Sequence, residues 1–566
     1  MTRLTNDPAD FPAEALKGFI AANKRYVKPV YGGVARSTFT PAGKVAVVYG
    51  GGSGHYPAFA GWVGHGFADG AVCGNIFSSP SAAQAYSVLK AVHRGAGVLM
   101  GFGNYAGDVL HFGQAIERLR AEGIEADTLV VTDDIASGDA AEPEKRRGIA
   151  GDFPVFKITS AAAEAGLGFD EVKRVFARAN AATRSFGVAF AGCTLPGAKG
   201  PLFTVPAGRM GIGLGIHGEP GVAEADLGSA DDVARTLVEG LLEDRPAGAG
   251  DRVVAIVNGL GSSKYEELFV VTSCVVALLE AAGLECADVE AGEFVTSLDM
   301  AGVSLTLVWV DDELLGYWDA PCDAPAYRKG SVGSVERDDA ALSQAAAPVE
   351  VTAPGSAASR EAAEVAAGLL DDVAGMLARA QEELGALDSV AGDGDHGIGM
   401  ANGARAAAGA AHAAVSADGG LRTTLTAAGD AWSNRAGGTS GALWGALLTA
   451  LGSALGDEKT PGSDDLAAAL QAALSAVQRL GGAEVGDKTL VDALSPFVAA
   501  FVATDGDLAA KSAAAVVAAE AGTESTRALV ARLGRARPLG EKSVGTPDPG
   551  AVSLTKVVTL LNSRLG

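Results

Sequence analysis

The feature that most constrains this chain is an abrupt change of texture near residue 330. Before it, short apolar runs alternate with glycine-rich turns and helical stretches. Val45-Ala46-Val47-Val48-Tyr49 runs into Gly50-Gly51-Gly52, Val98-Leu99-Met100 into Gly101, Thr128 to Thr132 into Asp133-Asp134, and Val253 to Val257 into Asn258-Gly259. Strands alternating with helices predict α/β layers with largely parallel sheets, and functional groups in such sheets collect at the carboxyl ends of strands. Beyond the change, Ala362 to Leu384, Gly403 to Ala414, Ala442 to Leu455, Asp464 to Leu480 and Lys511 to Leu533 carry helical spacing, and strand signals nearly vanish. An all-α domain is expected there. From 331 to 359 the chain is rich in Ala, Pro, Ser and Asp without periodicity, which reads as a linker. The expected organisation is an α/β part over 1–330 in two subdomains, a linker over 331–359 and a helical domain over 360–566. A chain of 566 residues agrees, since single cores stop growing at roughly 250–300 residues.

Charge narrows the partners. A formal net charge of -24 argues against nucleic acid or an anionic membrane surface. An anionic substrate would need local help from a cation, helix N-termini or a few placed Arg and Lys residues. The five cysteines are scattered without CxxC spacing, so free thiols in a reducing cytoplasm are expected. The N-terminus lacks the apolar run of a signal peptide, and the apolar stretch from Leu268 to Leu284 contains Glu280 and reads as a buried helix rather than a membrane span.

Three constellations could carry chemistry. Leu387-Asp388-Ser389-Val390-Ala391-Gly392-Asp393-Gly394-Asp395-His396-Gly397 places three carboxylates within eight residues, interleaved with glycines. Hard oxygen ligands at that density suit Mg²⁺ or Ca²⁺, although the spacing is not that of an EF-hand. A solvated Asp-Gly turn between helices would look much the same. In the same domain Gly437-Gly438-Thr439-Ser440-Gly441 opens a helix, where backbone N–H groups suit phosphate oxygens, and Arg535 and Asp548-Pro549-Gly550 flank a later loop. In the first part, Gly50-Gly51-Gly52-Ser53-Gly54-His55 follows a strand but lacks the ending of a Walker loop. Asn104-Tyr105-Ala106-Gly107-Asp108 offers a carboxylate, and His217 stands in the Gly-walled turn from Gly213 to Gly221. His65, His93, His111 and His412 read as structural.

Taken together these stretches resemble the single-chain, ATP-dependent dihydroxyacetone kinases over nearly the whole length, and His55-Tyr56-Pro57 resembles the erythrulose-kinase branch. Ala71 to Phe77, Thr132-Asp133-Asp134 and Gly486-Asp487-Lys488-Thr489 join the match. The resemblance implies that the second domain is an eight-helix barrel. It implies that His217 binds the ketone carbonyl of the substrate covalently, and that His55 and Asp108 act as general base at the hydroxyl that is phosphorylated. Gly52, Ser53, Gly54, His55, Gly103, Asp108 and His217 then line the sugar site. Asp388, Asp393 and Asp395 hold two Mg²⁺ ions. His396, Gly397, Ile398, Gly399, Thr439, Ser440, Gly481, Thr489, Leu490, Arg535, Asp548, Pro549 and Gly550 match positions that contact ATP. A cytoplasmic homodimer is implied as well.

Three positions depart from the family's common pattern: Tyr56 stands for Glu, Gly103 for Lys and Asn75 for Asp. Exchanging Lys for Gly removes a charge and is expected to free volume, which would favour erythrulose over dihydroxyacetone. A ketose-sensing regulatory protein without turnover is the alternative. Such a sensor would have no need of the aspartate cluster.

Overall fold

The structure, a computed structural model, describes residues 4–219, 221–338, 340, 342, 354–392, 394–534 and 536–564. The chain divides into two compact units, Met1–Ala347 and Pro348–Gly566. Much of the stretch expected to be a linker lies outside the described residues.

In chain order the first unit contains α1 (Phe11–Ala22), β1 (Val27–Val30), β2 (Gly33–Arg36), β3 (Ala46–Ser53), β4 (Gly70–Ile76), α2 (Ala82–Val92), β5 (Val98–Gly103), α3 (Ala106–Ala121), β6 (Ala126–Val131), α4 (Asp152–Glu164) and α5 (Phe169–Ala181). It continues through β7 (Thr183–Ala191), β8 (Arg209–Ile212), β9 (Ala223–Asp226), α6 (Ala230–Glu243), β10 (Arg252–Gly259), α7 (Tyr265–Ala281), β11 (Glu285–Gly292), β12 (Ala301–Trp309) and α8 (Asp312–Asp319). One sheet has the order β1-β2-β4-β3-β5-β6, with β4, β3, β5 and β6 mutually parallel. The other has the order β11-β10-β12-β7-β8-β9, where only β10 and β11 pair in parallel. Parallel character is therefore concentrated in the first sheet.

Side chains alternate across a strand, and here both faces are apolar. Val47 and Tyr49 of β3 face one core, together with Val254 and Ile256 of β10 and with Phe153 and Phe156 of α4. Ala46 and Val48 face α2 and α3 on the outer side, while Val253, Ala255 and Val257 face α6 and α7. The unit is thus layered as helices, sheet, α4, sheet, helices. Tyr49 stacks on Phe156 at 4.0 Å, and Phe153 stacks on Phe294 at 4.5 Å, so α4 joins the two sheets through buried rings. The stretch expected to be a buried helix forms most of α7, but α7 is buried on one side only: Phe269 and Val270 are more than half exposed.

The second unit contains α9 (Ala357–Asp388), α10 (His396–Ser416), α11 (Leu421–Ala436), α12 (Gly438–Leu455), α13 (Ser463–Gly481), α14 (Val491–Ala503), α15 (Leu508–Ser525) and α16 (Pro549–Asn562). Each helix packs on the next, and α16 returns to α9, closing a ring of eight among the described residues. The buried residues of α9, from Ala363 and Ala367 through Leu370, Val373, Leu377 and Ala380 to Leu384, recur every three or four positions. Small residues let the helices approach closely: a Cβ on Gly403 would press into the Trp432 indole, which itself stacks on Trp444 at 4.8 Å. The helix expected to run to Leu533 ends at Ser525. There the Thr526 hydroxyl donates back to the Thr523 carbonyl and accepts the Asp548 N–H, turning the chain aside.

No helix among the described residues is long and apolar enough to cross a membrane. All five cysteines are free thiols.

Candidate active site

In the first unit the sequence-predicted histidines meet. His55 follows the end of β3, and His217 stands in the turn after β8, 162 residues later, yet their Nε2 atoms are 3.1 Å apart. Both side chains are buried. The glycine run makes the approach possible: a Cβ on Gly52 would stand 2.6 Å from the Ser78 amide, and Gly54 has φ +106. Phe77 stacks on His55 at 5.0 Å, and Tyr105 meets the His217 ring edge-on at 4.6 Å.

The hydrogen bonds count the protons. His55 Nδ1 lies 2.8 Å from the Thr296 carbonyl oxygen, which can only accept, so Nδ1 carries hydrogen and a neutral His55 presents a lone pair at Nε2. His217 Nδ1 lies 3.1 Å from Glu219 Oε1, and the His217 amide donates to Glu219 Oε2 at 3.0 Å. A carboxylate also only accepts, so a neutral His217 too presents a lone pair at Nε2. Two lone pairs repel. The 3.1 Å contact is a hydrogen bond only when one proton is shared between the two Nε2 atoms, giving a pair with one positive charge matched by Glu219.

Behind this pair lies a buried charge chain. Arg147 Nη1 is 3.8 Å from Glu219 Oε2, and the same guanidinium donates from Nε to Asp134 at 3.0 Å. A Cβ on Gly215 would lie 2.6 Å from Arg147 Nη1, so only glycine lets Glu219 and Arg147 come this close. Asp133, next along, accepts from the amides of Ile149 and Gly151, and burial pushes it up to about 6. Asp108 stands in the first turn of α3, buried, and its charge reaches Asp152 at the start of α4. Sequence reasoning gave no role to Glu219, Arg147, Thr296 or Asp152. Only Glu219 left a signal, as an acid two residues from His217 in a turn where Gly218 has φ +85.

Gly103 ends β5 where the backbone is closely approached. A Cβ there would lie 3.0 Å from the Gly148 carbonyl oxygen and 3.2 Å from Tyr105 Cε2.

In the second unit the predicted nucleotide positions gather at one rim of the ring. Every second helix of an up-and-down ring starts at the same end, and here α10, α12, α14 and α16 do. His396 begins α10, and its ring lies 3.2 Å from Ser440 Oγ in the first turn of α12 and 3.0 Å from Ser553 Oγ near the start of α16. A Cβ on Gly550 would lie 3.3 Å from Leu490 Cβ, where α14 starts. This rim therefore carries His396, Gly397, Ile398 and Gly399, then Thr439 and Ser440, Thr489 and Leu490, and Asp548, Pro549 and Gly550. Gly481, the last residue of α13, would bring a Cβ to 3.2 Å from Leu443 of α12. Converging helix N-termini present free amides and positive dipole ends, which suit phosphate oxygens.

Carboxylates share the rim. Asp388 ends α9, Asp395 immediately precedes α10, and Asp548 caps α16 with Oδ1 2.7 Å from the Ala551 amide. Burial first, then the nearby Asp388 and Asp492, push Asp548 up to about 7. These hard oxygen donors, with unscreened negative charge beside them, fit a divalent cation such as Mg²⁺. Among the described residues no three His, Cys, Asp or Glu side chains are gathered as a metal cage. Asp393, the third expected ligand, and Arg535 lie outside the described residues.

Lys488 has another task. It is buried with φ +62, and its Nζ donates to the carbonyls of Leu529, Ser543 and Thr546. All three protons are used on backbone, so Lys488 fastens the segment leading to Asp548.

A family model described as Dak1 domain matches residues 17–326, and one described as DAK2 domain matches residues 390–563. The chain is 55% identical to D-erythrulose kinase of Mycolicibacterium smegmatis, covering 98% of this chain and 97% of the relative. It is 54% identical to L-erythrulose 1-kinase of the same organism, covering 100% of both. Among solved structures it resembles the dihydroxyacetone kinase of C. freundii in complex with AMP-PNP and Mg²⁺, with TM-score 0.54 and 29% identity over 100% of this chain and 99% of the other.

Proposed function

The chain belongs to the dihydroxyacetone kinase family, and from that premise we propose that it transfers the γ-phosphoryl group of ATP to a primary hydroxyl of a short-chain ketose, erythrulose or dihydroxyacetone. The observation that carries the mechanism is the His55–His217 contact with Glu219 behind it.

The His217 Nε2 lone pair attacks the ketone carbon. The carbonyl π bond breaks toward oxygen, and the proton held at His55 Nε2 passes to that oxygen, leaving a hydroxyl. The positive charge moves from the shared proton to the alkylated His217 ring, still facing Glu219. His55 is then neutral, its Nδ1–H remains on Thr296, and its deprotonated Nε2 can serve with Asp108 as general base at the acceptor hydroxyl. A covalent tether removes much of the sugar's rotational freedom, so the hydroxyl is held for transfer.

In the second unit Asp388 and Asp395, with Asp393, would hold Mg²⁺, two ions being expected. The metal would screen the charge of the β- and γ-phosphates. The amides at the starts of α10, α12 and α16 would bind phosphate oxygens, and Arg535 would add a cation. The two relatives named for opposite erythrulose enantiomers are 55% and 54% identical to this chain, so overall similarity does not choose the enantiomer.

The test is phosphorylation of a panel of three- to five-carbon ketoses with Mg-ATP, beside His217→Ala. Loss of ketose turnover in the variant with Mg-ATP binding retained is expected. Unchanged turnover would overturn the role of His217, and a wild-type protein that binds ketoses but never phosphorylates them would favour a sensor.

A further inference from the structure

Two polar groups, one of them on a ring that meets His217, have no partner among the described residues. The Tyr105 hydroxyl and Asp152 Oδ1 are both shut off from solvent and make no hydrogen bond to any described residue. Tyr105 is 8% exposed and Asp152 2%. Nearly all buried polar groups in folded proteins are paired, and leaving one unpaired is costly, so two together call for a reason.

They belong to one place. Tyr105 immediately precedes α3, its ring edge-on to His217, and Asp152 opens α4. Both press on the crossing of Gly103 and Gly148. The Cβ that Gly103 lacks would stand 3.2 Å from Tyr105 Cε2, and the Cβ that Gly148 lacks would stand 3.1 Å from Asp152 Oδ1. The charge of Asp152 is felt at the Tyr105 hydroxyl. Burial, then Asp133 and Asp108, push Asp152 well above the usual carboxylate range.

We propose that Tyr105 Oη and the Asp152 carboxyl are specificity determinants of the ketose site, taking up hydroxyl groups on the side of the carbonyl away from the one phosphorylated. The inference rests on the proposed function and deepens it. His217 holds the carbonyl carbon, His55 and Asp108 serve the reacting hydroxyl, and Tyr105 with Asp152 read the rest of the sugar. A substrate lacking those hydroxyls leaves both groups unpaired in the bound state, and sites of that kind reject the deficient analogue strongly.

Three ketones separate this from a structural role: erythrulose, dihydroxyacetone, and hydroxyacetone, which keeps one hydroxyl and carries a methyl on the far side. kcat/KM is measured for each with saturating Mg-ATP on the full-length protein, Tyr105→Phe and Asp152→Asn, with Asp152→Ser as a second probe should the amide not fold. Wild type is expected to favour erythrulose over hydroxyacetone by at least ~100-fold, and each variant to compress that ratio by at least ~10-fold, chiefly through loss on erythrulose. A fall by the same factor on all three ketones, or an unchanged ratio, overturns the inference, because a hydroxyl satisfied only by buried water cannot alter selectivity. Wild-type activity on none of them overturns the kinase reading and this inference with it. Normal wild-type turnover with intact selectivity in the variants overturns this inference alone.

Discussion

A single carboxylate, Glu219, holds the ring of His217. It fixes the ring through Nδ1 and, in the mechanism proposed above, would match the positive charge before and after attack on the ketone. Glu219→Gln keeps the shape and removes the charge, so kcat/KM for ketoses is expected to fall by about 10²-fold, in the range general acid–base groups supply, with little change in ATP affinity. Steady-state kinetics beside nucleotide calorimetry would check both parts. Glu164 makes a different prediction. Burial alone would raise it, but the hydrogen bond from Arg36 and the charges of Lys44, Arg36 and His65 outweigh that and hold it down at about 2. In the unfolded chain it titrates near its ordinary value of roughly 4.3. The folded protein therefore binds fewer protons between these values, and Glu164's contribution, of order 3 kcal/mol, is present above pH about 4.5 and lost as pH falls toward 2. Thermal unfolding of Glu164→Gln should show a lower Tm at pH 7 and a shallower loss of Tm between pH 5 and 3 than the parent.

At the scale of elements, the segment from Thr526 to Asp548 hangs on Lys488. Lys488→Met removes three donors and leaves the carbonyls of Leu529, Ser543 and Thr546 to find others, at roughly 1–3 kcal/mol for each that stays buried. The segment is expected to become the first site of limited proteolysis, with weakened ATP binding while ketose binding in the first unit persists. Protease resistance equal to the parent's would contradict that role. This strut also shows what the sequence conceals. Lys488 lies in a motif that could be quoted, but nothing along the chain says that its amine points at carbonyls some 40 to 60 residues away. The helices were legible where Ala and Leu recur without interruption, as in α9 and α13. α14 is broken in pattern by Pro496, α11 by Thr, Gly and Asp, and α16 opens on Pro549, so periodicity alone passes over all three. The βα alternation was legible because strands buried on both faces read as continuous apolar runs. The sharing of α4 between two sheets was not, since its buried face covers nearly the whole helix. In the site, the glycine turns marked His55 and His217, but their 3.1 Å approach is made by tertiary packing over 162 residues.

At the scale of the whole molecule, charge governs the nucleotide. The chain carries -24, and the rim proposed for ATP holds Asp388, Asp395, Asp492 and Asp548. A tetra-anion should be repelled without a counter-ion, so removing Mg²⁺ with EDTA is expected to weaken ATP binding by ~100-fold or more while leaving ketose binding unchanged. Equal ATP affinity with and without Mg²⁺, by calorimetry, would contradict the metal assignment. The alternation of the eight helices has one more consequence. If all these groups lie where the even-numbered helices begin, the turns at the other end, 417–420, 456–462 and 504–507, carry none of them. The Asp505-Gly506-Asp507 turn is exposed and joins α14 to α15 there. It is an attachment point for a fluorophore or a short inserted tag, a handle by which binding could be watched or the enzyme immobilised without touching its working end.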